Sequence, residues 1–276
     1  MASTDGLPAR PSSGVTIDVL KSDSARVFTH VHAILVLSLF YIRFGALVAE
    51  PVPSLLSSLL PLLIIQLSYV ITCLPVAGAA GAGSSSKAPP PRSAQQQRKR
   101  HGAAAAAAAK AEGGIGSRLT VRVSTASPHS AHELTSEQNC LQSALLSTIL
   151  SLSAGTPILT VLMILFGAPV TTHVVHTLLA STHLSVLAIM PLVYVHGVDG
   201  NKWKDVISAT SPLDEVFGST VGTLLGAWLG AVPIPLDWDR EWQKWPVTIL
   251  TGAYAGYVVG KLAGGYLLKG VKIKFD

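Results

Sequence analysis

Two apolar stretches near the end of the chain carry a glycine at every fourth position, and this spacing constrains the fold more than any other feature. A four-residue spacing places small residues along one face of an α-helix. Rows of small residues let membrane helices pack backbone against backbone. The pattern therefore predicts a tight hairpin of two helices, with its glycines available to a partner or to lipid. The glycines are Gly218, Gly222, Gly226 and Gly230 in the first stretch, and Gly252, Gly256, Gly260 and Gly264 in the second.

The loop between these stretches, residues 233–246, is crowded with tryptophan. It contains Trp238, Trp242 and Trp245, which are three of the five tryptophans in the chain. Indole rings are amphipathic and concentrate at the depth of the lipid headgroups. We therefore expect the loop to lie at a membrane surface and to join the glycines in an interface with a partner or with lipid.

The composition indicates a membrane protein that crosses the bilayer several times. Hydrophobic residues make up 49% of the chain, charged residues 13%, and the mean hydropathy is +0.48. A spanning helix needs about 20 mostly apolar residues. By that rule the fold is all-α, with six transmembrane helices, the last two being the glycine-rich pair. The predicted spans are about 27–49, 54–77, 142–167, 170–196, 213–233 and 246–269.

The positive charges predict the orientation. If the N-terminus is cytosolic, 16 of the 20 lysines and arginines fall in cytosolic segments, and only Arg240 and Lys244 face the lumen. Cytosolic loops of membrane proteins carry such an excess. We therefore expect an N-terminal tail at 1–26, a loop at 78–141 and a tail at 270–276 to be cytosolic, and the tryptophan loop to be luminal.

The predicted loop 78–141 divides a first transmembrane hairpin, 27–77, from a four-helix bundle, 142–269. Its low complexity, with runs of proline, glutamine and alanine, favours disorder. The basic cluster at 98–101 is compatible with a nucleic-acid site, but the positive-inside rule explains it more simply. We therefore expect no nucleic-acid partner.

The fourth predicted span carries His173, His176 and His183 within roughly 80° of one another on a helix. Such a face could bind a metal with Asp237 and Asp239 of the tryptophan loop. Histidines in membrane helices also form interhelical hydrogen bonds, and the spacing completes no metal motif. We predict no metal and no cofactor, and keep these residues as a possible polar site.

The pair Asp237 and Asp239 also forms an Asp-x-Asp pattern, which many glycosyltransferases use to hold a metal and a sugar phosphate. The longest predicted luminal connection has about 13 residues, too few to enclose a donor and an acceptor. No nucleophile motif or nucleotide loop stands at a competent position. We therefore predict that the chain is not an enzyme.

Two basic residues fall within predicted spans. Lys261 lies about two turns from the cytosolic end of its span, so we expect its ammonium group to snorkel to the surface. Arg43 has a similar luminal exit, but its guanidinium could equally bind a lipid phosphate or a carboxylate of a partner. We further expect Ser211 to cap the fifth span, with Asp214 and Glu215 near the positive end of the helix dipole.

The segments 226–246 and 252–257, together with 166–169, resemble the PIG-F family. The resemblance covers roughly residues 160–268, and upstream only the layout is similar. Proteins of that family are multispanning endoplasmic-reticulum subunits of the transferases that add phosphoethanolamine to mannoses of glycosylphosphatidylinositol (GPI) anchor precursors. The resemblance implies a non-catalytic subunit whose partners are the catalytic subunits acting on the second and third mannose, in contact with membrane lipids.

The C-terminus is consistent with that location. Lys272 and Lys274 resemble the Lys-x-Lys-x-x retrieval signal of endoplasmic-reticulum membrane proteins. Lysines that follow a last span are also common membrane anchors, so both interpretations stay open. The alternative function is a small intramembrane lipid transporter or a metal-dependent lipid-modifying enzyme, in which the polar residues would line a cavity.

Overall fold

A computed structural model of the chain describes residues 16–77, 128–236 and 238–272. Within these ranges all regular structure is helical and no strand occurs, which confirms the all-α prediction. Residues 78–127 of the predicted loop 78–141, and the side chains of 128–137, lie outside the described residues. The last part of that loop, 128–141, was predicted to be disordered but is helical. The α-helices are α1 (Asp23–Ala49), α2 (Pro51–Cys73), α3 (Pro128–Leu150), α4 (Thr156–Leu165), α5 (Val174–Leu184), α6 (Met190–His196), α7 (Gly200–Ile207), α8 (Glu215–Leu229) and α9 (Val247–Leu262).

Three short π-helical turns extend or join these helices. Ser151–Gly155 joins α3 to α4, Ser185–Ile189 joins α5 to α6, and Ala263–Leu267 extends α9. The first two precede Pro157 and Pro191. Proline lacks a backbone N–H and its ring crowds the preceding turn, so a local widening of the helix accommodates it.

The carbonyl groups at these π-turns are hydrogen-bonded across the bundle. The Ser185 hydroxyl donates to the carbonyl oxygen of Ser151 at 2.6 Å, and the Thr220 hydroxyl donates to that of Ala188 at 3.0 Å. A polar backbone group inside an apolar bundle needs such a partner. The two hydroxyls therefore fix the three segments to one another at the points where the helices depart from α geometry.

Four of the described helical segments are long and apolar enough to cross a membrane: Asp23–Ala49, Pro51–Cys73, Gln138–Leu165 and Val174–His196. They correspond to the first four predicted spans. The last of them is central, since 89% of its most apolar window is buried, compared with 22–33% for the other three. The predicted fifth and sixth spans correspond to α8, with 15 residues, and to α9 with its π-turn, and these segments are not among the four.

The helix α8 begins later than predicted. The carboxylate of Asp214 accepts the backbone N–H groups of Val216 and Phe217, at 3.0 and 2.8 Å, and is the N-cap. Ser211 lies three residues before this N-cap, so its predicted capping role is wrong. A carboxylate caps well because it accepts two of the free N–H groups and carries a charge that suits the helix dipole.

The last two helices pack closely on each other, and each has a further neighbour: α1 packs against α9, and the π-turn Ser185–Ile189 packs against α8. Helix α1 packs against both α2 and α9, and α2 packs against α5. The segment before α1 joins the same assembly, because the backbone N–H of Ile17 donates to Asp214 at 3.0 Å and that of Leu20 donates to the Cys73 carbonyl at 2.9 Å. The beginning of the described chain therefore lies beside the start of α8.

Candidate functional site

The two glycine rows face each other along the antiparallel pair α8 and α9. A Cβ atom built on Gly222 would meet the carbonyl oxygen of Gly256 and would lie 2.7 Å from the Cα of Gly260. At all eight positions the first obstacle is backbone of the opposite segment. Because no side chain fits there, the two rows pack against each other within the chain. The interface with a partner or with lipid that the sequence suggested for these glycines stays a prediction.

The tryptophan loop is ordered by its own contacts. The side-chain amide of Gln243 donates to the carbonyl oxygens of Pro233 and Leu236, at 2.8 and 2.9 Å. The rings of Trp238 and Trp242 lie 5.8 Å apart, and Trp238 is 53% exposed. Trp242 is half-buried. A partly exposed aromatic pair on a folded loop is the arrangement expected at a membrane surface or a protein interface.

The third tryptophan of this loop connects it to the central helix. The indole N–H of Trp245 donates to the Thr177 hydroxyl of α5 at 3.2 Å. Thr177 itself donates to the carbonyl oxygens of Pro169 and His173, both at 3.1 Å. The loop is thus fixed to the start of α5 and is not a free connection.

The most concentrated polar chemistry lies between α1, α2, α8 and α9, around a buried ion pair. The Lys261 ammonium lies 3.1 Å from the Glu215 carboxylate, 3.0 Å from Nδ1 of His32 and 3.6 Å from the ring centroid of Tyr69. The same carboxylate oxygen accepts the hydroxyls of Tyr69, at 2.8 Å, and of Thr29. We call these five residues the buried polar cluster.

The burial of Lys261 corrects the prediction that it snorkels. Its side chain is only 3% exposed, and that of Glu215 is 8% exposed. A lysine reaches for the surface when the interior offers it no partner, whereas here a carboxylate, an imidazole and an aromatic face surround the ammonium group. The cluster joins four helices through one ion pair and several hydrogen bonds.

Sequence reasoning missed the other four members of this cluster. Glu215 was assigned to the helix dipole alone, and Thr29, His32 and Tyr69 were not singled out. One signal was present, since a lysine and a glutamate both fell within apolar segments, and opposite charges in a low-dielectric region tend to pair. The pairing itself depends on how α8 and α9 are aligned, which the composition of each helix does not reveal.

His183 and Arg43 come together on the other side of the bundle. Nε2 of His183 donates to the carbonyl oxygen of Leu55 at 3.2 Å, and Nδ1 accepts the hydroxyl of Tyr254 at 2.8 Å. Arg43 and His183 line one cavity of about 10 Å³, together with Ser54 and Tyr254. That volume suits about one water molecule and no lipid, so the arrangement favours helix packing through hydrogen bonds.

The other two predicted histidines lie apart from His183. His173 precedes α5 and is exposed, so the three side chains do not share one helical face. The rings of His173 and His176 lie 5.0 Å apart, and Nδ1 of His173 is 2.9 Å from the Thr172 hydroxyl. No group of three possible metal ligands is formed by the residues that the structure describes.

The remaining predicted site residues are exposed or lie outside the residues that the structure describes. Asp239 is exposed with a positive φ of 47°, and Asp237 lies outside the described residues. The Asp-x-Asp pair therefore cannot be assembled into a site from the structure. Lys272 is exposed and Lys274 lies outside the described residues, so the retrieval signal stays a prediction.

Comparison with known proteins extends the similarity over more of the chain than the segment of roughly residues 160–268 found from the sequence. A sequence model described as "GPI biosynthesis protein family Pig-F" matches residues 31–265, which includes the first two helices. No solved structure matches the chain significantly.

Three curated relatives illustrate the similarity. The protein named glycosylphosphatidylinositol anchor biosynthesis protein 11 of Aspergillus fumigatus is 41% identical over 264 residues, which covers 92% of this chain and 84% of the relative. The protein of the same name in Neurospora crassa is 39% identical over 256 residues, which covers 93% of this chain and 80% of the relative. A mouse protein named "GPI ethanolamine phosphate transferase, stabilizing subunit" is 35% identical over 150 residues, which covers 52% of this chain and 65% of the mouse protein.

The family model matches most of the chain, and two relatives align over most of their own length. The chain therefore belongs to the Pig-F family of GPI biosynthesis proteins.

Proposed function

We propose that this chain is a non-catalytic membrane subunit that stabilises transferases adding phosphoethanolamine to mannoses of GPI-anchor precursors. The observation that carries the proposal is the similarity to the mouse protein named as a stabilizing subunit of such a transferase. The geometry supports it, because the described polar groups cross-link helices: Lys261 with Glu215, His183 with Tyr254, and Trp245 with Thr177. Catalytic subunits acting on the second and third mannose are the proposed partners.

The surfaces that meet those partners are distinct from the glycine rows. Both rows are covered within the chain, while the tryptophan loop and the outer faces of several helices are exposed. A rigid α8 and α9 pair would then support the chain's interface indirectly, by holding the neighbouring surface in one conformation. This is the arrangement expected of a subunit whose role is to stabilise another protein.

The proposal is tested by purifying the tagged full-length chain from mild detergent and identifying the membrane proteins that accompany it. The catalytic transferase subunits should co-purify, and cells lacking the chain should accumulate GPI intermediates without the corresponding phosphoethanolamine. Purification of a monodisperse chain that restores GPI synthesis without either subunit would contradict the proposal.

A second experiment distinguishes a stabilising subunit from an enzyme or a transporter. The triple variant His173→Ala, His176→Ala and Asp239→Ala removes three residues of the possible polar site. We expect it to retain phosphoethanolamine transfer, since the hydrogen bond between His173 and Thr172 is exposed and its loss costs only about 0.5–1.5 kcal/mol. Abolished transfer by a complex that still assembles at normal abundance would place these residues in the chemistry.

We further propose an endoplasmic-reticulum protein with six spans and both termini in the cytosol. The helix α8 alone is about 22 Å long, which is less than a typical hydrocarbon core of about 30 Å. The apolar turn that follows it, 230–234, adds length at the side of the tryptophan loop. Together with α9 and its π-turn, this segment can return the chain across a thinned or locally adapted bilayer.

Glycosylation acceptor sites test this topology. An acceptor placed within residues 84–112 should stay unmodified, because the charge distribution assigns that loop to the cytosol. An acceptor placed beside Trp238, on a spacer that carries it clear of the membrane, should be glycosylated. A shift in electrophoretic mobility that is reversed by a glycosidase reports each result, and modification of the first acceptor would refute the orientation.

A further inference from the structure

A polar pocket lies between the beginning of α1 and the end of α9. It encloses about 420 Å³, a volume within the range of ligand sites in proteins. Thr29 and Glu215 form part of its lining near the buried polar cluster, and His30 and Tyr266 lie at its edge, where Nε2 of His30 is 3.1 Å from the Tyr266 hydroxyl. The pocket is therefore a cleft between two helix ends. Because α1 is long and apolar enough to cross a membrane, we expect this end of it to lie at the membrane–water boundary.

The charges of this pocket favour an anion. Its acidic residues already have cationic partners, because Asp18 is 2.8 Å from Lys269 and Glu215 is paired with Lys261. Lys21 and Arg26 remain at the pocket. Within the described residues, Arg26 has one ion pair, at 3.7 Å to a 99% exposed Asp23, and Lys21 has none.

An apolar seam continues from this pocket along the same two helices. On α1 the side chains Ile34, Leu37 and Tyr41 are exposed, at spacings of three to four residues from His30. A second, largely apolar groove of about 510 Å³ opens further along, between Leu37 to Ile42 of α1 and Thr251 and Ala255 of α9. The distance along α1 from Arg26 to Leu37 is about 16 Å, which an extended acyl chain covers.

We propose that the pocket binds the headgroup of an anionic glycerophospholipid, with its phosphate at Lys21 and Arg26 and an acyl chain along the seam between α1 and α9. Basic pockets between transmembrane helices at the cytosolic side recognise such headgroups. The proposal goes beyond the stabilising function. Only the assignment to the cytosolic leaflet depends on the proposed topology.

Native mass spectrometry of the purified full-length chain tests this proposal. The chain is released from nanodiscs containing equal amounts of phosphatidylserine and phosphatidylcholine, and the lipids retained on it are counted. We expect phosphatidylserine to be enriched on the wild-type chain. The double variant Lys21→Gln and Arg26→Gln should lower the phosphatidylserine affinity about 30-fold, because each basic residue near a membrane surface contributes roughly a fivefold factor.

A matched variant separates the pocket from a general effect of charge. Lys202→Gln with Lys204→Gln removes two exposed lysines of α7, outside the pocket, and should leave the enrichment unchanged. Lys21→Gln alone should lower the affinity for phosphatidylserine about fivefold, and it replaces the double variant in the test if the double variant is unstable. Equal losses in the pocket and α7 variants, or no enrichment on the wild-type chain, would overturn the proposal.

A competition arm distinguishes a lipid from a simple anion. Inorganic phosphate and water-soluble phosphoserine should fail to displace phosphatidylserine, since they lack an acyl chain to occupy the seam. Complete displacement by either at comparable concentration would show an anion site without lipid recognition and would overturn the proposal. None of these measurements uses the transferase, so their outcome is independent of the proposed partnership.

Discussion

Replacing Gly222 or Gly256 with leucine will separate α8 from α9 and deplete the chain from the membrane. The first atom of the new side chain would collide with the backbone of the opposite helix. Overpacking usually costs about 1–3 kcal/mol, and a collision with backbone, which cannot rotate away, should cost at least the upper end of that range. Steady-state abundance and the thermal midpoint in mild detergent will both fall, and any transferase held by the chain will be lost with it.

Gly45→Leu is the matched control for this prediction. Gly45 also lies within an apolar helix, α1, but a Cβ atom built there meets nothing within 4 Å. The same change in side chain should therefore leave abundance and thermal midpoint close to those of the wild-type chain. Equal behaviour of the Gly45 and Gly222 variants would show that close approach of α8 and α9 is not what holds the bundle together.

Removing one charge of the buried ion pair should destabilise the chain by about 3–5 kcal/mol. Lys261→Met leaves the Glu215 carboxylate buried with only the hydroxyls of Thr29 and Tyr69, and Glu215→Gln leaves the Lys261 ammonium without its carboxylate. The double variant should recover much of this loss, because neither unpaired charge then remains. Unfolding of all three variants in the same detergent measures the coupling between the two residues.

The exposed pair Lys244 and Glu241 provides the comparison for this cycle. Their side chains are 50% and 73% exposed. Solvent screening limits such a pair to about 0–1 kcal/mol, so Lys244→Met should change stability little. If the double variant of the buried pair is as unstable as the sum of its single variants, the two residues do not interact, and the buried polar cluster is not an electrostatic unit.

The apolar helices could be predicted from the sequence because each is a local property of an apolar segment, whereas the polar α7 and the start of α3 lie in stretches predicted to be cytosolic connections. The observed start and end of Pro51–Cys73, for example, lie within a few residues of the predicted span 54–77. The first residue of a helix such as α8 is harder to predict, because Ser211 and Asp214 are both good capping residues. Which of them caps the helix depends on contacts outside it. The Asp214 carboxylate is fixed by Ile17, almost 200 residues earlier in the chain.

The polar contacts could not be predicted because they depend on how separate helices are aligned. The three histidines of the fourth predicted span looked alike in sequence, yet His183 is buried against Tyr254 while His173 is exposed. In sequence, Lys261 was close enough to the end of its span for the ammonium group to reach water. It is buried because it pairs with Glu215, which lies on another helix. The lengths and compositions of the helices contain no information on such a register.

The buried polar cluster also has a consequence for the synthesis of the chain. His32 and its partner Lys261 are 229 residues apart in sequence. At about 5–20 residues per second, Lys261 is made roughly 10–50 s after His32. During that interval α1 is in the membrane with an incomplete polar face, which costs free energy in lipid. Premature termination before α9 would leave this face permanently unpaired, so a shortened chain should be recognised and degraded as an unfinished one.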